Sequence, residues 1–171
     1  REGLSRYDGY RTLTFRSGKT TPDLLTDNQI TCITDSWERI LIGTKKGLNI
    51  LNKKTYEISH IDNEELKDQE IRSILFDSKG YIWVGTYVAL YRCSSDFSSC
   101  KRYDSSLPVT SVNSIYEDAD KNIWVTFWRK GIFRYDRIKD TFVKYPALGK
   151  ENNPFSVFQD DKKQHWIGTW G

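Results

Sequence analysis

A tryptophan-centred phrase returns along this chain at a nearly fixed interval. YIWVGT at residues 81–86 reappears as NIWVTF and again as QHWIGT, while RILIGT carries Leu41 in the place of the tryptophan. Aligned on its glycine, the phrase falls at Gly43, Gly85, Thr126 and Gly168, with spacings of 42, 41 and 42 residues. Such a period marks stacked structural units, none of which can bury its apolar face alone. The rest of each unit keeps step. Asp35, Asp77, Asp118 and Asp160 each stand eight residues before the anchor, and a short apolar run (ITCIT, IRSILF, VNSIY, FSVF) precedes each of them. A small and an apolar residue follow, as Gly47-Leu48, Ala89-Leu90 and Gly131-Ile132.

Each unit reads as four short segments rich in β-branched and aromatic residues, separated by turn residues. No segment sustains a 3.6-residue apolar period over roughly ten residues, which excludes helical repeats of similar length. Four strands in about 40 residues is the pattern of a β-propeller blade, so the predicted fold is all-β with four-stranded antiparallel blades. In the unit of the opening phrase, strand A is Ile71–Phe76, strand B is Tyr81–Thr86, strand C is ALYRC and strand D is CKRY. Strand A is expected innermost and strand D outermost. Whole blades are expected at 25–61 (blade 1), 66–103 (blade 2) and 107–145 (blade 3), with a half blade of strands C and D at 3–15 and one of strands A and B at 155–169. The halves could join to close a ring of four, or the chain could be an arc of a larger ring whose open edges invite a second copy. The tryptophans are expected to fill the wedge between blades. The aspartates are expected to cap their own A-to-B turns by accepting backbone N–H groups rather than to act as acids or metal ligands.

With 37% hydrophobic and 14% aromatic residues, a chain of 171 residues can bury a sizeable core. Its 26 basic and 23 acidic residues are interspersed, and a net charge of +3 gives no reason to expect nucleic acid as a partner. No run approaches the ~18 apolar residues that span a bilayer. The chain opens at Arg1 and contains no methionine, which predicts a piece of a longer protein.

The pattern D-x-x-G-x-I-W-V-G-T followed by G-L is present as DSKGYIWVGT with Ala89-Leu90 and as DADKNIWVTF with Gly131-Ile132. It resembles the two-component regulator propeller repeat, and the likeness runs over residues 3–171. The resemblance implies a piece of the periplasmic sensor domain of a hybrid two-component system histidine kinase, of the kind found in gut Bacteroidetes. Such sensors typically carry seven-bladed propellers, so this chain would be a fragment of a larger ring. The implied parent is anchored in the inner membrane and works as a homodimer, and its sensor detects oligosaccharides to regulate polysaccharide-utilisation genes. Kinase chemistry would lie elsewhere in the parent. The chain departs from the repeat at Leu41, at Thr126 and Phe127 in place of glycine and threonine, and at an inserted residue before Gly131.

Catalytic groups are scarce. His60 at the end of an outer strand and His165 beside Trp166 read as surface or wedge residues, and no motif for a cofactor or metal is present. Binding is better supported, because the B-to-C and D-to-A connections of a propeller share one face. The B-to-C turns offer Lys45, Tyr87, Phe127, Trp128, Arg129 and Trp170 as candidate ligand-binding residues. Exposed rings stack on sugar C–H faces, and basic side chains donate to hydroxyls and carboxylates. The competing expectation is that Phe127 and Trp128 pack against a neighbouring blade or domain. Two other functions are therefore kept beside the sensor: a scaffold whose aromatic turns dock a protein, and, least favoured, a propeller lyase or glycosidase.

Cys93 and Cys100 are seven residues apart at the two ends of the blade 2 C-to-D hairpin, where blade 3 has Tyr135 and Phe142. An apolar cross-strand pair replaced by two thiols is a candidate disulfide suited to the periplasm. Two buried thiols are the alternative. Cys32 is expected to be a small core residue.

Overall fold

A computed structural model describes residues 3–18, 24–146 and 153–170. Every regular element among them is a strand, and the chain divides between Ile71 and Arg72 into two compact units.

The first unit holds β1 (Leu4–Tyr7) paired with β2 (Thr12–Phe15), followed by an antiparallel meander of β3 (Ile30–Ser36), β4 (Arg39–Thr44), β5 (Gly47–Asn52) and β6 (Ile58–His60). Leu25, Ile42, Leu51 and Ile58 form its buried core, with Leu4, Phe15, Ile30 and Ile40 packed on them. β3 passes through Asp35, which pairs with Ile40, and the chain reverses at Trp37 and Glu38 with Trp37 at φ 51°. This corrects one expectation. Asp35 is a strand residue whose carboxylate pairs with Lys53, not a turn cap. The blade with leucine in place of tryptophan is thus also the blade whose aspartate has left the turn.

The second unit carries blades 2 and 3. Blade 2 is β7 (Ile71–Phe76), β8 (Ile82–Thr86), β9 (Leu90–Cys93) and β10 (Cys100–Tyr103), in sheet order β7-β8-β9-β10. Blade 3 is β11 (Val112–Glu117), β12 (Ile123–Phe127), β13 (Gly131–Asp136) and β14 (Thr141–Tyr145), again in sequence order. A two-stranded sheet of β15 (Asn153–Gln159) and β16 (His165–Trp170) completes it.

The anchor glycine has a steric cause. A Cβ on Gly85 would lie 2.4 Å from Val112 Cγ1 and 2.7 Å from Val112 Cβ, so strand B of one blade meets strand A of the next with no room for a side chain. Trp83 is fully buried against Tyr103 of its own blade and Tyr135 and Phe142 of blade 3, with ring centroids 5.8, 5.0 and 5.8 Å away. Trp124 repeats this one blade on, its ring 4.8 Å from that of His165 and packed with Val157 and Ile167. Trp166, on the half blade, is 60% exposed.

Each of these tryptophans is also fixed by its aspartate. The Asp77, Asp118 and Asp160 side chains accept the indole N–H of Trp83, Trp124 and Trp166 on one oxygen, each at 2.8 Å. The other oxygen takes turn N–H groups: Lys79 and Tyr81 on Asp77, Asn122 on Asp118, Lys162 and Gln164 on Asp160. The carboxylate therefore ties the A-to-B turn to the wedge.

Candidate functional site

A cavity of about 460 Å³ opens in the second unit, lined by Arg72, Tyr87, Val88, Val109, Thr110, Ser111, Asn113 and Trp128. Three connections build it. Tyr87 and Val88 come from the β8–β9 turn, Trp128 from the β12–β13 turn, and Val109 to Asn113 from the entry into β11.

The β8–β9 turn is held by Thr86, whose buried hydroxyl accepts the N–H groups of Val88 and Ala89 and donates to the Ala89 carbonyl. With the turn closed from within, Tyr87 projects outward and is 59% exposed. Blade 3 has Phe127 at the position of that threonine and closes its turn differently: the Lys130 N–H bonds the Phe127 carbonyl at 3.2 Å, with Arg129 at φ 56° and Gly131 at φ 97°. The extra residue before Gly131 makes that wider turn possible. Trp128 is pinned by its backbone N–H, which donates to the Ser111 carbonyl at 2.9 Å. Its ring lies half-buried at the cavity wall, with the Arg129 guanidinium 5.8 Å from the ring centroid.

β11 contributes the polar groups. Asn113 stands at an irregularity in the β11–β12 register between Val112 and Ser114. Its Nδ2 donates to the Pro154 carbonyl at 2.9 Å, which fixes the amide orientation because that carbonyl can only accept. Two oxygens of the lining are buried without a hydrogen-bond partner, Asn113 Oδ1 and Ser111 Oγ. A buried orphan polar atom carries a desolvation cost, and here two fall in one cavity.

The expected site residues divide. Tyr87 and Trp128 share the cavity, and Arg129 stands exposed beside Trp128. Phe127 does not belong to a ligand-facing surface: it is fully buried, with its ring edge-on to Phe133 at 5.4 Å. The side chain that breaks the repeat is core, and this corrects its expected display in the turn. Lys45 stands exposed on the β4–β5 turn of the first unit, and Trp170 lies exposed at the end of β16; neither lines the cavity. His60 bonds the Leu24 carbonyl, and His165 packs on Trp124. Cys93 and Cys100 are joined across β9–β10, with Cα atoms 4.0 Å apart. Cys32 is half-buried, and its Sγ fills the space where a Gly43 Cβ would be, 2.5 Å from that position. Among the described residues no three His, Cys, Asp or Glu side chains gather where they could hold a metal ion. Sequence reasoning missed Ser111 and Asn113 because it compared only B-to-C turns, whereas these two stand where the D-to-A connection enters β11.

Residues 65–88 and 106–129 match the family model of the two-component regulator propeller. Those segments are two-component regulator propeller repeats. Both windows span a strand A, the aspartate turn and the tryptophan phrase, and together they supply all eight lining residues, from Arg72 to Trp128. A histidine kinase P4 of Formosa agariphila is 31% identical over 133 residues, 66% of this chain and 9% of that protein. The chain thus spans about 9% of the length of the curated relative it matches.

Solved structures with the fold of these repeats include the extracellular domain assigned to a hybrid two component system of B. thetaiotaomicron, at a TM-score of 0.83 and 23% identity over 99% of this chain and 23% of that one. A second extracellular domain from the same organism, assigned to a one component system, gives 0.82 at 23% identity over 99% of this chain and 23% of its own. Virginiamycin B lyase from Staphylococcus aureus shares the fold at a TM-score of 0.66 and 16% identity, over 92% of this chain and 52% of the lyase.

Proposed function

We propose that these repeats form part of the periplasmic sensor of a membrane-anchored, homodimeric histidine kinase, a non-catalytic module that detects an oligosaccharide and so governs polysaccharide-utilisation genes. The observation that carries the ligand is the cavity of the second unit: two aromatic rings, Tyr87 and Trp128, flank two buried oxygens that lack partners. A saccharide supplies both complements at once, C–H faces for the rings and hydroxyls for the oxygens. The histidine kinase relative and the extracellular domains of like fold support the placement, and the Cys93–Cys100 bond suits an oxidising compartment.

Calorimetric titration of the full chain with a panel of oligosaccharides tests this reading. At least one sugar should bind, and Tyr87→Ala and Trp128→Ala should each weaken it by about tenfold or more. Absence of binding across the panel, or wild-type affinity in both variants, overturns it.

A scaffold role is the second reading, favoured by the β15–β16 sheet, where Phe158, Trp166 and Trp170 are all exposed. In that case alanine at Trp166 or Trp170 weakens association between protein surfaces and leaves sugar titrations unchanged.

A further inference from the structure

We infer that the cavity takes an acetamido sugar, an oligosaccharide containing N-acetylhexosamine; this rests on the sugar-binding reading above and narrows it. The inference comes from the complementarity of the cavity's unpartnered oxygens. Asn113 Oδ1 can only accept, because the amide nitrogen is already committed to the Pro154 carbonyl. It therefore calls for an N–H or O–H and turns away a carboxylate. Ser111 Oγ can donate, and it is buried in a residue only 8% exposed, so it is not freely served by bulk solvent. The two residues are separated by one position at the entry to β11, and both line the cavity.

A trans secondary amide is planar and carries its N–H and C=O on opposite edges. One such group can therefore donate to Asn113 Oδ1 and accept from Ser111 Oγ at the same time. Its methyl then needs an apolar wall, and Val88 and Val109 of the same lining provide one. A hydroxyl on the same sugar carbon reaches one oxygen and leaves the other buried and unpaired, a loss of roughly 10- to 100-fold in affinity. The ring that bears the acetamido group is left to stack on Trp128 or Tyr87.

Matched sugars that differ only at carbon 2 decide the matter. Titration of the full chain compares chitotriose with cellotriose, and methyl N-acetylgalactosaminide with methyl galactoside. The acetamido member of at least one pair should bind about tenfold tighter or more, and Ser111→Ala should abolish that preference. Equal binding within both pairs overturns the acetamido assignment while leaving sugar sensing in place. So does binding of other oligosaccharides when both pairs are silent. A cavity that binds no sugar of any kind removes both readings. The comparison of sugars on the unaltered chain does not depend on whether the serine variant folds.

Discussion

The indole N–H of Trp83 donates to Asp77 Oδ2 at 2.8 Å inside a fully buried wedge, and the identical bond between Trp166 and Asp160 is made on an exposed sheet. One motif thus occurs in two solvents within one chain.

That contrast yields a stability prediction. Trp83→Phe keeps an aromatic filler but leaves a buried carboxylate oxygen unpaired and the wedge underfilled, so it should cost about 2–4 kcal/mol. Trp166→Phe removes the same bond where water can replace it, and should cost about 1 kcal/mol or less. Urea unfolding of the two variants, read by far-ultraviolet circular dichroism, gives the comparison; equal losses would show that burial is not what sets the value of the bond.

Asp140 ties the outer edges of blades 2 and 3 together, accepting from Lys101 at 2.5 Å, Arg92 at 3.1 Å and the hydroxyls of Tyr103 and Tyr135 at 2.5 Å each. Burial works against its ionisation, but the hydrogen bonds from Lys101, Tyr103 and Tyr135 and the Arg92 charge outweigh that and hold its carboxyl well below its ordinary value of 3.8. Asp118 is lowered in the same sense, with burial opposed by hydrogen bonds from Trp124 and Asn122. A carboxylate that is more acidic in the folded state stabilises the fold above its unfolded pKa, and that stability is lost as pH falls toward the folded value. The melting temperature should therefore stay level from pH 7 to about pH 5 and decline below about pH 4. Asp140→Asn should lower it at neutral pH and make the acid decline shallower. A variant that melts as the parent does at every pH would remove Asp140 from the account.

Gly85→Ala drives a methyl into the body of Val112, whose Cβ has no freedom to retreat, and should destabilise by about 1–3 kcal/mol. Gly168→Ala meets only the Ser156 hydroxyl at 2.6 Å, with the Ser156 Cβ at 3.9 Å, and a rotamer change relieves it. Thermal melts should rank Gly85→Ala well below Gly168→Ala; the reverse order would refute the close approach of strands B and A as the reason for the glycine.

For Cys93 and Cys100, intact mass before and after alkylation under non-reducing conditions should show no label on either residue. Cys93→Ser opens a short loop and should cost about 2 kcal/mol. Labelling of both thiols in protein kept from reductant is the result that would count against the bond.

Much of the fold was legible because a period is a property of the chain itself. A strand that meets the same neighbours in every unit must repeat its side chains, so Trp83 and Trp124 reveal the wedge from the period alone. Asp35 shows where that logic fails: it keeps the register of the other aspartates, but without a tryptophan six residues on there is no indole to bind, and the strand runs straight through it. Phe127 shows a second limit. An aromatic residue in a turn reads as displayed, yet the hydrophobic gain of burial against Phe133 exceeds what an exposed ring could offer, and the turn was rebuilt around it.

The sequence by itself determined the all-β, four-stranded blades and the wedge role of Trp83 and Trp124, since these depend on contacts that successive units make in common. Only the tertiary structure decided the cavity. Ser111 and Asn113 belong to the start of the inner strand of one blade, Tyr87 and Trp128 to the turns of two, and their meeting depends on how neighbouring blades pack, which no period along the chain encodes.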